Sequence, residues 1–180
     1  MDLFTPDANA CTEDDPTDCG LSPPAPAHPA LEPAPHGIAA IRAYYGDIKI
    51  AGGKVVAPPH WESENMVLVH DLPGVGHKLY VHRKIAQPLR ALLEVFERHG
   101  YPIRTIGCFN PRPKRVNGDP SAHSWGAAVD INADTNPMTL KAQPLITDLP
   151  AAMVAEGEAL GWTWGGHFHD PMHWQWLSGY

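Results

Sequence analysis

The sequence predicts an α+β fold: a small, largely antiparallel sheet flanked by helices. Three observations lead there. Short apolar runs of strand length lie at 66–69, 103–107, 127–132 and 172–176. Ile85, Leu89, Leu92, Leu93 and Phe96 recur at helical spacing. Strands and helices follow one another without regular βαβ alternation, which argues against a parallel sheet.

Taken in order, Ile38–Tyr45 suits a short helix, and Gly46 and Gly52-Gly53 punctuate the chain after it. Met66–Val69 reads as a strand stopped by Asp71-Leu72-Pro73-Gly74. The helix carried by Ile85 to Phe96 ends at His99-Gly100, and Pro88 predicts a kinked or separate first turn. Ile103–Gly107 and Ala127–Asn132 read as strands. Leu149–Leu160 reads as a helix with Gly161 behind it as its cap, and Met172–Trp176 as a last strand.

At 180 residues one domain is expected, preceded by an arm. Residues 1–35 hold seven acids (Asp2, Asp7, Glu13, Asp14, Asp15, Asp18, Glu32), no Lys or Arg, and 8 of the 20 prolines. The arm therefore accounts for the whole net charge of −7, and residues 36–180 are neutral. An acidic Pro/Ala-rich stretch buries too little apolar surface to offset its ordering entropy, so 1–35 is read as a disordered arm or linker and 36–180 as the domain. A chain starting near His36 is expected to fold and keep the site. The charge excludes a basic nucleic-acid binder, and no apolar run is long enough to span a membrane. The N-terminus has neither the basic nor the apolar region of a secretory signal. Cys11 and Cys19 are read as free thiols, with a small disulfide loop as the alternative, and Cys108 as a small core residue.

The chemistry concentrates in two segments. In Ser121-Ala122-His123-Ser124-Trp125-Gly126-Ala127-Ala128-Val129-Asp130-Ile131-Asn132, strand alternation sends Val129 and Ile131 to one side and Asp130 to the other. An acid centred in an apolar strand is costly unless it is paired or bound to a cation. In Gly165-Gly166-His167-Phe168-His169-Asp170-Pro171-Met172-His173-Trp174-Gln175-Trp176, the face of Met172, Trp174 and Trp176 is core-like, and His173 and Gln175 lie opposite. If the two strands are neighbours, His173 projects with Asp130. Two histidines and one carboxylate, with a fourth position left for water, is the composition of a catalytic zinc site. Asp170 stands where it could hold that water as general base.

These motifs together resemble the zinc D-alanyl-D-alanine carboxypeptidase family, which includes phage L-alanyl-D-glutamate endopeptidases. The resemblance rests on Ser121-Ala122-His123 through Asp130, on Asp170-Pro171-Met172-His173-Trp174, and on Phe109-Asn110-Pro111-Arg112 and Trp164-Gly165-Gly166. It is strong over about residues 100–177. It implies the family's zinc fold, shared with hedgehog domains, and one zinc per chain held by His123, Asp130 and His173. It implies Asp170 as general base and Arg112 as the cation that stabilises the oxyanion. Arg115 is the alternative for that cation, and His167 and His169 lie close enough in sequence to compete as ligands. Ser121, Arg115, Trp125 and His167 are the expected substrate contacts. The implied activity is hydrolysis of an amide in the peptidoglycan stem peptide, as D-Ala-D-Ala carboxypeptidase or L-Ala-D-Glu endopeptidase. The expected setting is a monomeric phage-type lysis enzyme that acts on the bacterial wall after release. A non-catalytic, zinc-stabilised wall-binding module on the same fold is the alternative.

Overall fold

The computed structural model describes residues 30–115 and 118–180. Cys11, Cys19 and most of the predicted arm lie outside the described residues. The body opens with helix α1 (Ile38–Tyr45) and a hairpin of β1 (Lys49–Ala51) and β2 (Lys54–Val56) turning at Gly52-Gly53. Helix α2 (Trp61–Asn65) leads directly into β3 (Met66–Val69), which pairs antiparallel with β4 (Leu79–His82). A 3-10 turn at Arg83–Ile85 precedes α3 (Ala86–Arg98). Pro88 thus falls in the first turn of α3, where its missing N–H costs no helical bond, and the separate first turn expected from the sequence is the 3-10 segment.

The principal sheet is formed by β5 (Ile106–Gly107), β6 (Ala128–Ile131), β7 (Thr163–Trp164) and β8 (His173–Gln175), in the order β5-β6-β8-β7 with antiparallel pairing throughout. Helix α4 (Ala151–Ala159) lies between β6 and β7 in sequence. Strands and helices mix as the α+β reading requires.

Three elements are shorter than the sequence suggests. The strand expected over 103–107 pairs only at Ile106–Gly107, because Asn132 caps its first half: the Asn132 Oδ1 accepts from the backbone N–H groups of Arg104 and Thr105 at 2.8 and 3.1 Å. The helix expected from Leu149 starts at Ala151, since Pro150 is fixed in extended geometry at its cap. The last strand is confined to His173–Gln175, with Trp176 N–H bonded beyond the ladder to the Ala127 carbonyl at 2.9 Å.

One face of the sheet is covered by α3 and α4. Leu89, Leu92, Leu93 and Phe96 are buried on α3, and Phe96 meets Trp174 edge to face at 5.8 Å between ring centroids. Burial of such side chains stabilises by roughly 1.5–3 kcal/mol each relative to exposure. The core is contiguous, running from Ile41 and Tyr45 through Trp125 to Trp174 and Trp176. At the other end of the described chain, Leu31 and Ala34 pack against this core and the Pro35 carbonyl accepts from Ser178 N–H at 3.1 Å. Contacts with the body therefore begin several residues before His36. Among the described residues no helix is long and apolar enough to cross a membrane.

Candidate metal centre

Asp130 on β6 and His173 on β8 are directly opposed in the antiparallel register. His123 reaches them from the 3-10 turn Ala122–Trp125, which is closed by Gly126 N–H to the His123 carbonyl at 3.0 Å. Gly126 has φ 63°, and a Cβ there would stand 2.8 Å from His82 N and 2.5 Å from Met66 Cε. Only glycine lets this turn pass so close to β3 and β4.

The three side chains meet in a triangle. His123 Nε2, His173 Nδ1 and Asp130 Oδ1 are mutually 3.1 Å apart. Both rings are oriented from behind. His123 Nδ1–H donates to the Cys108 carbonyl at 2.7 Å, and His173 Nε2–H donates to Gln175 Oε1 at 3.0 Å. These bonds fix the tautomers that turn a ring lone pair from each histidine toward the Asp130 oxygen. Three electron-rich atoms so close together call for a positive charge between them.

A zinc ion suits that demand. Two imidazole nitrogens and a carboxylate oxygen, 3.1 Å apart, are a donor set that zinc accepts and are close enough to share one ion. His123 and His173 are buried and Asp130 is half-buried. Burial pushes the Asp130 carboxyl up, but His123 and His173, which donate to it and carry charge when they hold a second proton, outweigh burial and hold the group far below the usual carboxylate range. Burial pushes the His173 ring down, yet the bond and charge of Asp130 prevail and raise it.

Asp170 has a different environment. Burial raises its carboxyl above the ordinary value, the charge of Asp130 adds to this, and His173, His123 and Arg112 oppose it. Its Oδ1 is buried without a hydrogen-bond partner among the described residues, an acceptor with room for a water. The turn that carries it is tight. Asp170 N–H bonds the Gly165 carbonyl at 2.9 Å, and His173 N–H bonds the Asp170 carbonyl at 3.0 Å. A Cβ on Gly165 would lie 2.2 Å from the Asp170 carbonyl oxygen, so the close approach requires glycine there.

Arg112 is half-exposed, and its backbone is pinned beside His123. Its N–H donates to Ser124 Oγ at 3.0 Å, and its carbonyl accepts from Ser121 N–H at 3.0 Å and from Ser124 Oγ at 2.8 Å. Its charge acts on Asp170; Arg115 is exposed and is not among the charges acting there. Ser121 is buried, and its backbone closes the Arg112 loop.

Two expected substrate contacts are placed elsewhere. Trp125 is fully buried and donates its indole N–H to the Gly46 carbonyl at 2.9 Å, so it is core, because the residue that leads into the Gly126 bend is turned inward. His167 is exposed, hydrogen-bonded to Glu158 Oε1 on α4 at 2.7 Å, and outside the triangle. His169 is likewise outside the triangle, with Nδ1 3.3 Å from Thr139 Oγ1. Cys108 is buried in the core, as the sequence suggests, and burial raises its thiol far above the usual range.

Two residues beside the centre were not singled out from the sequence. Gln175 orients His173, and its place two positions on along the same strand face was a usable signal. Phe168 stands 5.9 Å from the His173 ring and is 41% exposed, an apolar edge at the mouth of the centre that no local pattern announces.

No curated protein and no solved structure gives a significant match to the chain. Residues 115–176, the stretch that holds His123, Asp130, Asp170 and His173, match the model of the D-alanyl-D-alanine carboxypeptidase family.

Proposed function

We propose that the chain is a zinc-dependent peptidase that hydrolyses an amide bond in the peptidoglycan stem peptide, as a D-Ala-D-Ala carboxypeptidase or an L-Ala-D-Glu endopeptidase. The observation that carries the reading is the His123–Asp130–His173 triangle with half-buried Asp170 on the adjoining turn, its buried Oδ1 without a partner among the described residues, all inside the segment similar to that family. His123, Asp130 and His173 would hold one zinc, which would supply Lewis acidity toward the attacking water and the scissile carbonyl.

The chain's own residues account for the rest. Asp170 takes a proton from the attacking water at Oδ1 and returns it to the departing amine. Its raised affinity for protons suits both halves of that task. Arg112 supplies positive charge where the carbonyl oxygen becomes negative, and the Ser124 and Ser121 bonds hold its backbone for that purpose. Gln175 and the Cys108 carbonyl keep the two imidazoles in ligand geometry. Phe168 offers an apolar surface to the peptide beside the centre.

The finer reading is a wall-lytic enzyme of phage type, acting on the cell wall after release. The test is zinc content of the purified protein, followed by turbidity of purified cell walls and mass spectrometry of the digest. Loss of a terminal D-Ala identifies the carboxypeptidase, and a new N-terminal D-Glu the endopeptidase. Stoichiometric zinc with intact walls would instead assign a non-catalytic wall-binding module.

A further inference from the structure

We propose that Tyr180 is a positioning residue that sets the aim of Arg112. The proposal rests on the reading of Arg112 as the oxyanion cation and deepens it.

The loop that carries Arg112 folds back on itself. Ser121 N–H bonds the Arg112 carbonyl at 3.0 Å, Lys114 N–H bonds the Asp119 carbonyl at 2.6 Å, and Pro113 and Pro120 form a β-bridge. Ser124 secures one side of the loop next to His123, through the two bonds to the Arg112 backbone. Tyr180 secures the other. Its hydroxyl donates to the Pro120 carbonyl at 3.2 Å, its ring lies 5.8 Å from the Trp125 ring, and Lys114 Nζ stands 3.1 Å over its centroid.

Tyr180 is itself held by the start of the body. Ser178 N–H bonds the Pro35 carbonyl at 3.1 Å, Gly37 N–H bonds the Ser178 carbonyl at 2.9 Å, and Ser178 Oγ lies 2.9 Å from His36 Nδ1. The segment 178–180 is thus a strap fastened to residues 35–37 and laid across the Arg112 loop. A long flexible side chain on a loop keeps a useful direction only if the loop is fixed on both flanks. A misplacement of about 1 Å can cost on the order of 10²-fold in rate.

The experiment compares Tyr180→Ala, Tyr180→Phe, Arg112→Ala and the double variant Arg112→Ala/Tyr180→Ala in the full chain. Tyr180→Ala is expected to lower kcat about 10- to 100-fold, with zinc content unchanged and KM within about twofold. Tyr180→Phe keeps both ring contacts and should recover most of the loss. In the Arg112→Ala background Tyr180→Ala should change nothing further, because the residue it positions is gone. Amide exchange at Lys114 and Ser121, read in zinc-free protein, should accelerate in Tyr180→Ala. Unchanged kcat in Tyr180→Ala, or an equal loss in both backgrounds, overturns the proposal. Should Tyr180→Ala not fold, Lys114→Met, which removes the cation from the ring, is put through the same pair of backgrounds under the same criteria. An active wild type with unimpaired Arg112→Ala refutes the Arg112 assignment instead. If the wild type cuts no wall peptide, the peptidase reading falls, and unchanged amide exchange in Tyr180→Ala then separately overturns the strap.

Discussion

Asp170 and Asp130 are both acids beside the same two histidines, yet their environments push them in opposite directions. Asp130 faces both rings, which hold it ionised, as a candidate ligand must be. Asp170 is half-buried, its Oδ1 has no hydrogen-bond partner among the described residues, and burial raises its affinity for a proton, as the proposed general base and acid requires. Asp170→Asn is therefore expected to keep full zinc content, measured by metal analysis, and to lower kcat by about 10²–10⁴-fold. Loss of zinc would mean that Asp170 is a ligand. The two candidate cations separate in the same way. Arg112→Ala should lower kcat about 10²–10³-fold with zinc content and Tm nearly unchanged, whereas Arg115→Ala should be mild. The reverse pattern would move the oxyanion role to Arg115.

At the scale of elements, β4 and the 3-10 turn meet where His82 N–H bonds the Gly126 carbonyl at 3.0 Å. The His82 ring is fully buried, edge-on to Tyr45, and its Nδ1 accepts from Lys84 N–H at 3.2 Å, which a neutral ring can do. Burial first, and the charges of Lys84 and Arg83 after it, bring its pKa down from 6.5 to about 4. The unfolded chain therefore binds this proton first as pH falls. The stability contributed by the neutral ring is complete above about pH 6.5 and is lost as pH drops toward 4. At about 1.4 kcal/mol per unit the loss approaches roughly 3 kcal/mol. Urea midpoints between pH 4 and 7 should show this slope, and His82→Leu should flatten it. An equal slope in both proteins would place the acid sensitivity elsewhere.

For the molecule as a whole, the candidate metal site lies on the face of the sheet opposite the one covered by α3 and α4, with His123 and His173 buried there. The hydrophobic core does not depend on the centre. Chelation should therefore lower Tm without unfolding the protein at 25 °C, and zinc should restore it. A ligand at 100 times its dissociation constant stabilises by about 2.7 kcal/mol, or roughly 5–10 °C for a chain of this size. Unfolding at room temperature on chelation would make the metal structural. The start of the body behaves differently. A chain beginning at Ala30 should match the full chain in Tm and zinc content. One beginning at His36 should fold less stably by about 1–3 kcal/mol, since it loses the packing of Leu31 and Ala34 and the Pro35 carbonyl that holds Ser178. Equal denaturant midpoints for the two chains would show that these contacts contribute nothing.

The elements most legible in the sequence are those with a clear local period. Ile38–Tyr45 and Met66–Val69 coincide with α1 and β3, and the spacing of Ile85 to Phe96 anticipates α3. The candidate site was legible for a related reason: alternation alone separates Asp130 from Val129 and Ile131, and His173 from Trp174. The short β4 and α2 carry too few periods to announce themselves, and the ends of β5 and α4 are set by Asn132 and Pro150. Local periodicity says which face a side chain takes; it does not say which strand lies alongside. That β6 and β8 are neighbours, with Asp130 opposite His173 across 43 positions of chain, goes with long-range contacts such as Trp174 on Phe96 and the Tyr45 hydroxyl donating to the Trp176 carbonyl. The same is true of Trp125, turned into the core to meet Gly46, and of Tyr180, brought over the Arg112 loop by a bridge to His36. Residue type and spacing determined the candidate ligands and base. The partners that orient them come from distant segments, and only the burial of a shared core brings those segments together.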